Sequence, residues 1–342
     1  MAGRALVPRP VAASVEELLA GARRLGGHRP ADARSGAPFE RVELDGERCL
    51  VKYVHPEHDF TMRVSGDLGC RPLRVWAAGL MDVAPDLIDH ATLGAAPWGR
   101  NGWGAALLMR DVGAHLVPPG DDPLPEAWHL AFVDHCAGLA ARTWGWVDTL
   151  ELLPHRLRWA WFGRAQLDGE AALGFPEPVP RLAVEGWERF AAAVPADVAD
   201  VVEALRRDPT PLSEAVAATP QCFLHGDWKL GNLGRAPDGR TILLDWAYPG
   251  QGPAAHELAW YLSLNRARLP QGHTKERVVE DFRAALERHG VATEGWWERQ
   301  VGLCLLGALV QFGWEKALGD SDDQRAELAW WVDAARAGAE WL

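Results

Sequence analysis

Three polar residues in one stretch of the chain have the types and spacing that phosphoryl transfer requires. Asp227 follows a His-Gly pair, Asn232 comes five residues later, and Asp245 closes an apolar run. Transfer from a metal-bound nucleotide needs one carboxylate to take the proton of the acceptor hydroxyl, and an amide with a second carboxylate to hold Mg²⁺. Alone, each could be a turn or strand-end residue. Together they predict a phosphoryl-transfer site.

Residues 225–232, His-Gly-Asp-Trp-Lys-Leu-Gly-Asn, resemble the kinase catalytic loop H-R-D-x-x-x-x-N, and Asp245 with Trp246 resembles the D-F-G that follows it. The glycine after the histidine, and tryptophan in place of phenylalanine, are more similar to the aminoglycoside phosphotransferase and choline kinase-like family. The resemblance implies a bilobal, protein-kinase-like α+β fold. It also implies a catalytic Asp227, Mg²⁺ bound by Asn232 and Asp245, and ATP or GTP as the phosphoryl donor.

Two neighbours of Asp227 are further catalytic candidates. Lys229 stands two residues later, where protein kinases also carry lysine and antibiotic kinases commonly have histidine. Its ammonium group could neutralise charge on the transferring phosphoryl group, and the alternative is a solvated surface lysine. His225 belongs to the same motif, and the family implies that it supports the loop through backbone hydrogen bonds more than through direct chemistry.

Lys52 is a candidate for nucleotide binding. It lies in the strand-like run 50–54, where a lysine is costly unless it has a charged partner. The run resembles the kinase V-A-I-K strand, whose lysine pairs with the α- and β-phosphates. The alternative is a water-facing lysine on an edge strand. Kinases hold this lysine with a glutamate on the next helix; here Asp67 has about the right separation and is the predicted partner.

The remaining nucleotide contacts are predicted by position. No G-x-G-x-x-G is present, and only Ser35 and Gly36 precede the second strand, so their amides are candidates for phosphate binding, with an ordinary hairpin as the equal alternative. Adenine is expected at a hinge after the strand 104–109, recognised by the backbone of Met109, Arg110, Asp111 and Val112.

Two features of the C-terminal half extend the resemblance. Glu257 stands where the family has the aspartate of a D-L-A stretch, and is expected either to brace the catalytic loop or to be a helix-surface acid. Most of the 18 tryptophans fall in this half, and burial in the core is their common use. The family implies an acceptor pocket between the catalytic loop and the C-terminal helices, with Trp314 and Glu315 as plausible lining.

The pattern of elements predicts two lobes: a sheet-rich nucleotide-binding lobe over 1–112, and a helical lobe over 113–342 with the catalytic loop and the acceptor site. Helices are expected at 15–25, 126–144, 301–318 and 326–342, strands at 39–44, 49–54 and 104–109, a turn at Asp45-Gly46, and a surface loop at 175–180.

The amino-acid composition limits the classes of binding partner that the protein is expected to have. A net charge of −12 argues against nucleic-acid binding. The five cysteines are scattered without a C-x-x-C pair, which predicts reduced core residues. We find neither a signal-peptide pattern nor a window near the ~18 apolar residues of a membrane span. We therefore expect a soluble, cytoplasmic protein without a membrane partner, present as a monomer or homodimer.

The sequence thus predicts an O-phosphotransferase that acts on a hydroxyl of a small molecule, such as an aminoglycoside, an aminosugar or another antibiotic. Two alternatives stay open at this point. One is a kinase of a primary metabolite, a sugar or an amino alcohol. The other is a nucleotide-binding pseudokinase with a regulatory or scaffolding role, favoured by the atypical nucleotide loop and opposed by the intact Asp-Asn-Asp set.

Overall fold

A computed structural model describes residues 6–28, 35–265 and 268–342. The elements of the N-terminal part are α1 (Val15–Leu18), β1 (Arg23–His28), β2 (Phe39–Leu44), β3 (Glu47–Val54), α2 (Phe60–Val64), α3 (Arg71–Ala77), β4 (Ile88–Asp89), β5 (Thr92–Trp98) and β6 (Gly104–Arg110). Five of the strands form an antiparallel sheet in the order β1-β2-β3-β6-β5.

The hairpin of β2 and β3 forms at the predicted turn. Asp45 and Gly46 have φ values of 51° and 82°, the left-handed backbone that tight hairpins need. Val51 is fully buried on β3, and Lys52 beside it lies opposite Leu107 of β6. Because β3 lies inside the sheet, Lys52 is on a central strand. The alternative of a water-facing lysine on an edge strand is therefore wrong.

The predicted helix over 15–25 is wrong beyond its first turn. α1 ends at Leu18, and Arg23–His28 forms β1 instead. Gly26 and Gly27, which directly follow the predicted helix, pair with β2 in the sheet. Pairing with β2 satisfies the backbone groups of this segment, so tertiary context outweighs the helical spacing of its leucines.

The C-terminal part is mainly helical. Its helices are α4 (Glu126–Arg142), α5 (His155–Trp159), α6 (Arg164–Ala172), α7 (Pro178–Ala193), α8 (Ala196–Arg207), α9 (Thr210–Ala217), α10 (Ala254–Leu264), α11 (Lys275–Arg288), α12 (Trp297–Ala317) and α13 (Asp322–Ala339). α4, α12 and α13 confirm three predicted helices, whereas the predicted loop at 175–180 is wrong over 178–180, where the first turn of α7 lies. None of these helices, nor any other in the described part of the chain, is long and apolar enough to cross a membrane.

α12 is the centre of the helical core. It is buried along most of its length and packs against α7, α10 and α13. Glycines allow the close contacts: a Cβ on Gly307 would lie 2.3 Å from the ring of Trp159, and one on Gly186 would lie 2.2 Å from the backbone of Trp314. The five cysteines are free and buried, as predicted.

Four short strands hold the segment that contains the candidate chemistry: β7 (Cys222–Leu224), β8 (Leu233–Arg235), β9 (Thr241–Leu243) and β10 (Gly250–Gly252). β7 pairs with β10, and β8 pairs with β9 so that Leu233 lies opposite Leu243. Asn232 immediately precedes β8, and Asp245 follows β9 by two residues. The hairpin therefore places these two side chains at the same end of a small sheet.

Candidate active site

The loop after β7 makes a sharp turn that requires glycine. Gly226 has a φ of 83°, and a Cβ there would lie 2.1 Å from the carbonyl oxygen of Tyr248. Both the backbone conformation and the lack of space exclude a larger residue. The glycine that distinguishes this motif from that of protein kinases is thus a steric requirement of the loop.

His225 supports the loop 225–232 through hydrogen bonds to the backbone. Its Nε2 lies 3.0 Å from the Leu244 carbonyl oxygen, and its Nδ1 lies 3.2 Å from the Asp227 amide nitrogen. Because an amide only donates, Nδ1 is the acceptor and Nε2 carries the proton. Burial lowers the pKa of His225 to about 3, so the ring is neutral at pH 7. The geometry agrees with the backbone-supporting position that the resemblance implies.

The Asp227 carboxylate is held by three donors. Lys229 Nζ and Asn232 Nδ2 donate to its Oδ2 at 2.8 and 2.7 Å, and Trp260 Nε1 donates to its Oδ1 at 2.9 Å. Only 1% of Asp227 is exposed, and this burial raises the pKa of its carboxyl although Lys229 opposes the shift. The three donors fix the direction in which the carboxylate points.

Glu257 joins the loop to α10. Its Oε1 accepts the Gly226 amide at 2.7 Å, so the acid braces the loop, and the alternative of a helix-surface acid is wrong because Glu257 is 3% exposed. Burial raises the pKa of this carboxyl to about 7. The backbone of the loop and the carboxylate of Asp227 are therefore both held by one helix.

Asn232 and Asp245 lie at the same end of the β8–β9 hairpin. The Leu244 amide donates to the Asn232 carbonyl at 2.9 Å, which sets the two segments next to each other. Because Asn232 donates its amide hydrogens to Asp227, its Oδ1 is left for another partner. One amide oxygen and one carboxylate fit the hard oxygen ligands that Mg²⁺ prefers, with water and phosphate completing its shell.

Lys52 reaches across the cleft to Asp245. Its Nζ lies 2.8 Å from Asp245 Oδ1, and 6% of Lys52 is exposed. Burial alone would lower the pKa of this lysine, but the Asp245 carboxylate raises it above the ordinary value. Burial also opposes ionisation of Asp245, yet Lys52 holds the pKa of that carboxyl below its usual range. Both groups are thus charged at pH 7.

Asp67, the predicted partner of Lys52, is engaged elsewhere. Its carboxylate accepts the amides of Gly69 and Arg71 at 3.3 and 2.9 Å, at the start of α3. Asp67 nevertheless lines the same small cavity as Lys52, together with Asp59, Met109, Asp245 and Trp246. Asp59 is the second carboxylate that raises the pKa of Lys52. A phosphate-site role for Asp67 stays a prediction.

The hinge backbone is partly used within the protein. The Arg110 amide donates to the carbonyl of Ala91 at 3.0 Å, and the Asp111 amide donates to the carbonyl of Arg48 at 3.1 Å. These two N–H groups are therefore occupied. Recognition of a purine edge, if it occurs here as predicted, falls to the other backbone groups from Met109 to Val112.

Ser35 and Gly36 pack against the start of α2. The Ser35 carbonyl accepts the Phe60 amide at 3.0 Å. A Cβ on Gly36, whose φ is 85°, would lie 2.4 Å from both the His58 carbonyl oxygen and a Glu177 carboxylate oxygen. The rest of the β1–β2 loop, 29–34, lies outside the described residues. Phosphate binding by Ser35 and Gly36 stays a prediction.

A second, larger cavity opens beside the catalytic loop. Its volume is about 950 Å³, and its wall includes Leu230 and Gly231 of the loop. Four carboxylates line it, from three separate segments of the chain: Asp121, Glu315, Asp323 and Glu327. One cation, Arg268, lines it too, and its guanidinium donates to the carbonyls of Pro118 and Asp122. Glu315 lines this cavity, and its role in acceptor binding stays a prediction. Trp314 is 7% exposed and packs against Phe162. The cavity is acidic rather than walled by tryptophan.

Comparison with known proteins decides the family. The model of the phosphotransferase enzyme family matches residues 77–297, well over half of the chain. The chain belongs to this family. None of the curated proteins compared with this phosphotransferase matches it.

Solved structures of small-molecule kinases share the fold of this phosphotransferase. Choline kinase LicA from Streptococcus pneumoniae has a TM-score of 0.51 and 10% identity, with 95% of this chain and 96% of that chain covered. Amicoumacin kinase hAmiN, in complex with AMP-PNP, Ca²⁺ and Ami, has a TM-score of 0.51 and 13% identity, with 96% and 90% covered. The predicted α+β, protein-kinase-like fold is confirmed, and the chain is a small-molecule phosphotransferase.

Trp260 is the site residue that sequence reasoning missed. With 18 tryptophans in the chain, its residue type carried no signal. Its position did, because Trp260 lies three residues after Glu257 on α10, and residues at that spacing share a helix face. Once Glu257 is placed against the loop, the indole of Trp260 is directed to the same loop.

Trp260→Phe should lower kcat about 10-fold and leave the nucleotide Kd unchanged. The ring is retained, but the carboxylate of Asp227 loses one of its three donors, and a hydrogen bond to a charged group contributes roughly 1.5 kcal/mol. Steady-state kinetics would measure the effect. Trp330→Phe is the matched control, since its indole donates to Glu276 on the exposed side of α13. An unchanged kcat in Trp260→Phe would contradict an orienting role.

Glu257→Gln should remove a pH dependence of stability. In the folded protein the pKa of Glu257 is raised to about 7, so between its unfolded value and pH 7 the folded state holds a proton that the unfolded chain has lost. This contribution to stability is full at low pH and is lost as the pH rises through about 7, on the order of 3 kcal/mol. Glutamine still accepts the Gly226 amide without titrating.

Urea unfolding near pH 5 and near pH 8 tests this expectation. The free energy of unfolding of Glu257→Gln should equal that of the wild type at the lower pH and exceed it at the higher pH. Glu214→Gln, at an exposed position of α9, is the control. Its unfolding free energy should differ from that of the wild type by the same amount at both pH values. A Glu257→Gln difference that does not change with pH would contradict the shifted titration.

Proposed function

We propose that this phosphotransferase transfers the γ-phosphoryl group of ATP or GTP to a hydroxyl group of a cationic small molecule. The observation that carries the proposal is the acidic cavity of about 950 Å³ whose wall is continuous with the catalytic loop. An aminoglycoside or another amino-substituted antibiotic fits this description, and so does an amino alcohol of primary metabolism.

Asp227 is proposed as the group that orients and deprotonates the acceptor. The acceptor oxygen forms a bond to the γ-phosphorus, the bond from that phosphorus to the β,γ-bridging oxygen breaks, and the acceptor proton passes to Asp227 while the nucleoside diphosphate leaves. A buried carboxyl with a raised pKa accepts a proton more readily than an exposed one. Lys229, whose side chain is 37% exposed beside Asp227, is placed to neutralise charge on the transferred group.

Asn232 and Asp245 are proposed to hold Mg²⁺, which would offset the negative charge of the nucleotide phosphates. Their placement at the same end of the β8–β9 hairpin and the ion pair of Asp245 with the buried Lys52 support this. When a nucleotide is bound, Lys52 can exchange part of its contact with Asp245 for a phosphate oxygen at little cost, because both partners are anionic. Asp59, Asp67 and Met109 line the same cavity.

The charges of the larger cavity favour a cation. Glu315 lies 2.9 Å from Lys316, and Glu327 lies 2.5 Å from Lys275, so these two acids are partly neutralised. Asp121 and Asp323 are exposed at the wall. An ammonium group entering the cavity would meet two accessible carboxylates, and focused negative potential attracts such a ligand. A neutral sugar would leave these charges without a partner.

Product formation with a panel of acceptors tests the proposal. The panel would hold aminoglycosides, choline and amino alcohols beside neutral sugars and nucleosides, each with Mg²⁺ and either ATP or GTP, and products would be identified by mass spectrometry. We expect products from cationic acceptors. Turnover of neutral acceptors alone would overturn the substrate class, and tight nucleotide binding without any product would overturn the activity.

The double variant Asp121→Asn, Asp323→Asn should then raise the KM of the cationic acceptor several-fold with kcat retained, since each exposed pair contributes up to about 1 kcal/mol. Asp322→Asn is the matched control, because this neighbouring acid is 96% exposed and its carboxylate faces Arg325. An unchanged KM in the double variant would show that these two carboxylates of the cavity do not bind the acceptor.

A further inference from the structure

Away from the active site, three side chains with metal-binding atoms come close together. These atoms have no hydrogen-bond partner among the described residues. His129 lies on α4, His273 lies in the segment before α11, and Asp281 lies on α11. One ligand atom of each lies within 4.8 Å of the other two. The atoms His129 Nε2, His273 Nε2 and Asp281 Oδ2 are all buried without a hydrogen-bond partner among the described residues.

This arrangement is costly unless something joins the three atoms. His129 is fully buried, and an unpaired buried polar atom normally loses the hydrogen bonds that water gave it. The three side chains come within 4.8 Å of one another, yet no hydrogen bond joins these three atoms. A single cation at their centre would satisfy all three at once.

The second ring nitrogen of His129 is arranged as in metal-binding histidines. Its Nδ1 lies 2.9 Å from the hydroxyl of Tyr261 on α10. With Nδ1–H donating to that hydroxyl, the lone pair of Nε2 is directed at the cluster, and such outer hydrogen bonds fix the tautomer of histidine ligands. Asp281 is held in a similar way, because Arg277 donates to its other oxygen at 2.9 Å.

A fourth ligand is within reach. Glu126 lies one helical turn before His129 on α4, and its Oε1 lies 3.6 Å from His273 Nε2. Ligands of a tetrahedral Zn²⁺ at about 2.0–2.1 Å are separated by roughly 3.4 Å, so this pair already has nearly the required spacing. Small rotations of the other side chains would complete the tetrahedron, with Glu126 or water in the fourth position.

We propose that His129, His273 and Asp281 bind one Zn²⁺ ion, separate from the nucleotide site, that ties α4 to α11. Two imidazoles and a carboxylate suit Zn²⁺ and disfavour Mg²⁺, which prefers oxygen ligands and retained water. Tyr261, the outer partner of His129, follows Trp260 in the chain, and Trp260 donates to Asp227. The ion would therefore stiffen the helix that positions the catalytic carboxylate.

Calorimetric titration of chelator-treated full-length protein with Zn²⁺, in excess Mg²⁺, tests the proposal. We expect one Zn²⁺ per chain, a higher Tm on binding, and intense visible absorption of the Co²⁺-substituted protein that indicates tetrahedral coordination. His273→Gln and Asp281→Asn should each weaken Zn²⁺ binding at least ~100-fold, because loss of an outer partner alone costs ~10–100-fold. Tyr261→Phe, which keeps all the proposed ligands, should weaken Zn²⁺ binding about 10-fold.

His289→Gln is the matched control. This imidazole also bridges α11 to α4, through Asp134 at 3.2 Å, but lies outside the cluster, so Zn²⁺ affinity should not change. The proposal is overturned if the wild type binds no Zn²⁺, or if His273→Gln and Asp281→Asn bind it as tightly as His289→Gln does. The Co²⁺ spectrum of the wild type needs no variant, so a variant that fails to fold does not prevent the test.

Discussion

Asp227→Asn is expected to reduce kcat at least ~10²-fold while nucleotide affinity stays nearly unchanged. An amide does not take the acceptor proton, and one of its ends must turn an NH₂ group toward Trp260 or toward Lys229 and Asn232, which are all donors. The acceptor is therefore both less well oriented and not deprotonated. The metal ligands are untouched, so the nucleotide should still bind.

Single-turnover kinetics and calorimetric nucleotide binding, measured on the same preparation, would separate these two effects. Asp238→Asn is the matched control, since Asp238 is an exposed acid in the β8–β9 turn that contacts Arg240. Its kcat should equal that of the wild type. If Asp227→Asn kept most of the turnover, the assignment of Asp227 as the proton acceptor would be wrong.

Asp245→Asn is expected to act on the nucleotide instead. Loss of this charge removes an anionic metal ligand and leaves Lys52 without its 2.8 Å ion pair. Interactions with charged groups contribute roughly 1.5–3 kcal/mol, so the Kd of the Mg²⁺–nucleotide complex should rise about 10-fold to 100-fold. Because a buried lysine without its partner is costly, a lower Tm should accompany the change.

The decisive measurement is nucleotide affinity with Mg²⁺ and with a chelator. The wild type and Asp227→Asn should both bind more tightly with Mg²⁺, whereas Asp245→Asn should bind equally with and without it. A full Mg²⁺ effect in Asp245→Asn would exclude this carboxylate as a metal ligand.

The catalytic loop was predictable because its geometry is local. Asp227 and Asn232 are five residues apart, and a short hairpin joins Asn232 to Asp245, so spacing in the sequence translates directly into proximity. Gly226 carried a similar local signal, since its backbone turn excludes other residues. The contact of Glu257 with the loop followed from the family resemblance rather than from spacing.

Contacts between distant segments were not predictable in this way. Lys52 pairs with Asp245, 193 residues away, whereas Asp67, at a plausible separation, caps the amides at the start of α3. A helix start needs acceptors for its free N–H groups, and a nearby aspartate supplies one wherever the chain allows. The acids of the larger cavity come from three segments that only the packed fold brings together.

α10 has a consequence for how this protein can diversify. Glu257 and Trp260 hold the catalytic loop from one helix, whereas Asp121 and Asp323, which line the larger cavity, belong to other segments. Mutations in those segments can therefore accumulate without moving Asp227. Substitutions at the cavity wall can therefore change the acceptor, while selection on α10 preserves the phosphoryl-transfer chemistry. We expect related sequences to differ most at residues 117–121 and 321–327 and least at residues 257–260.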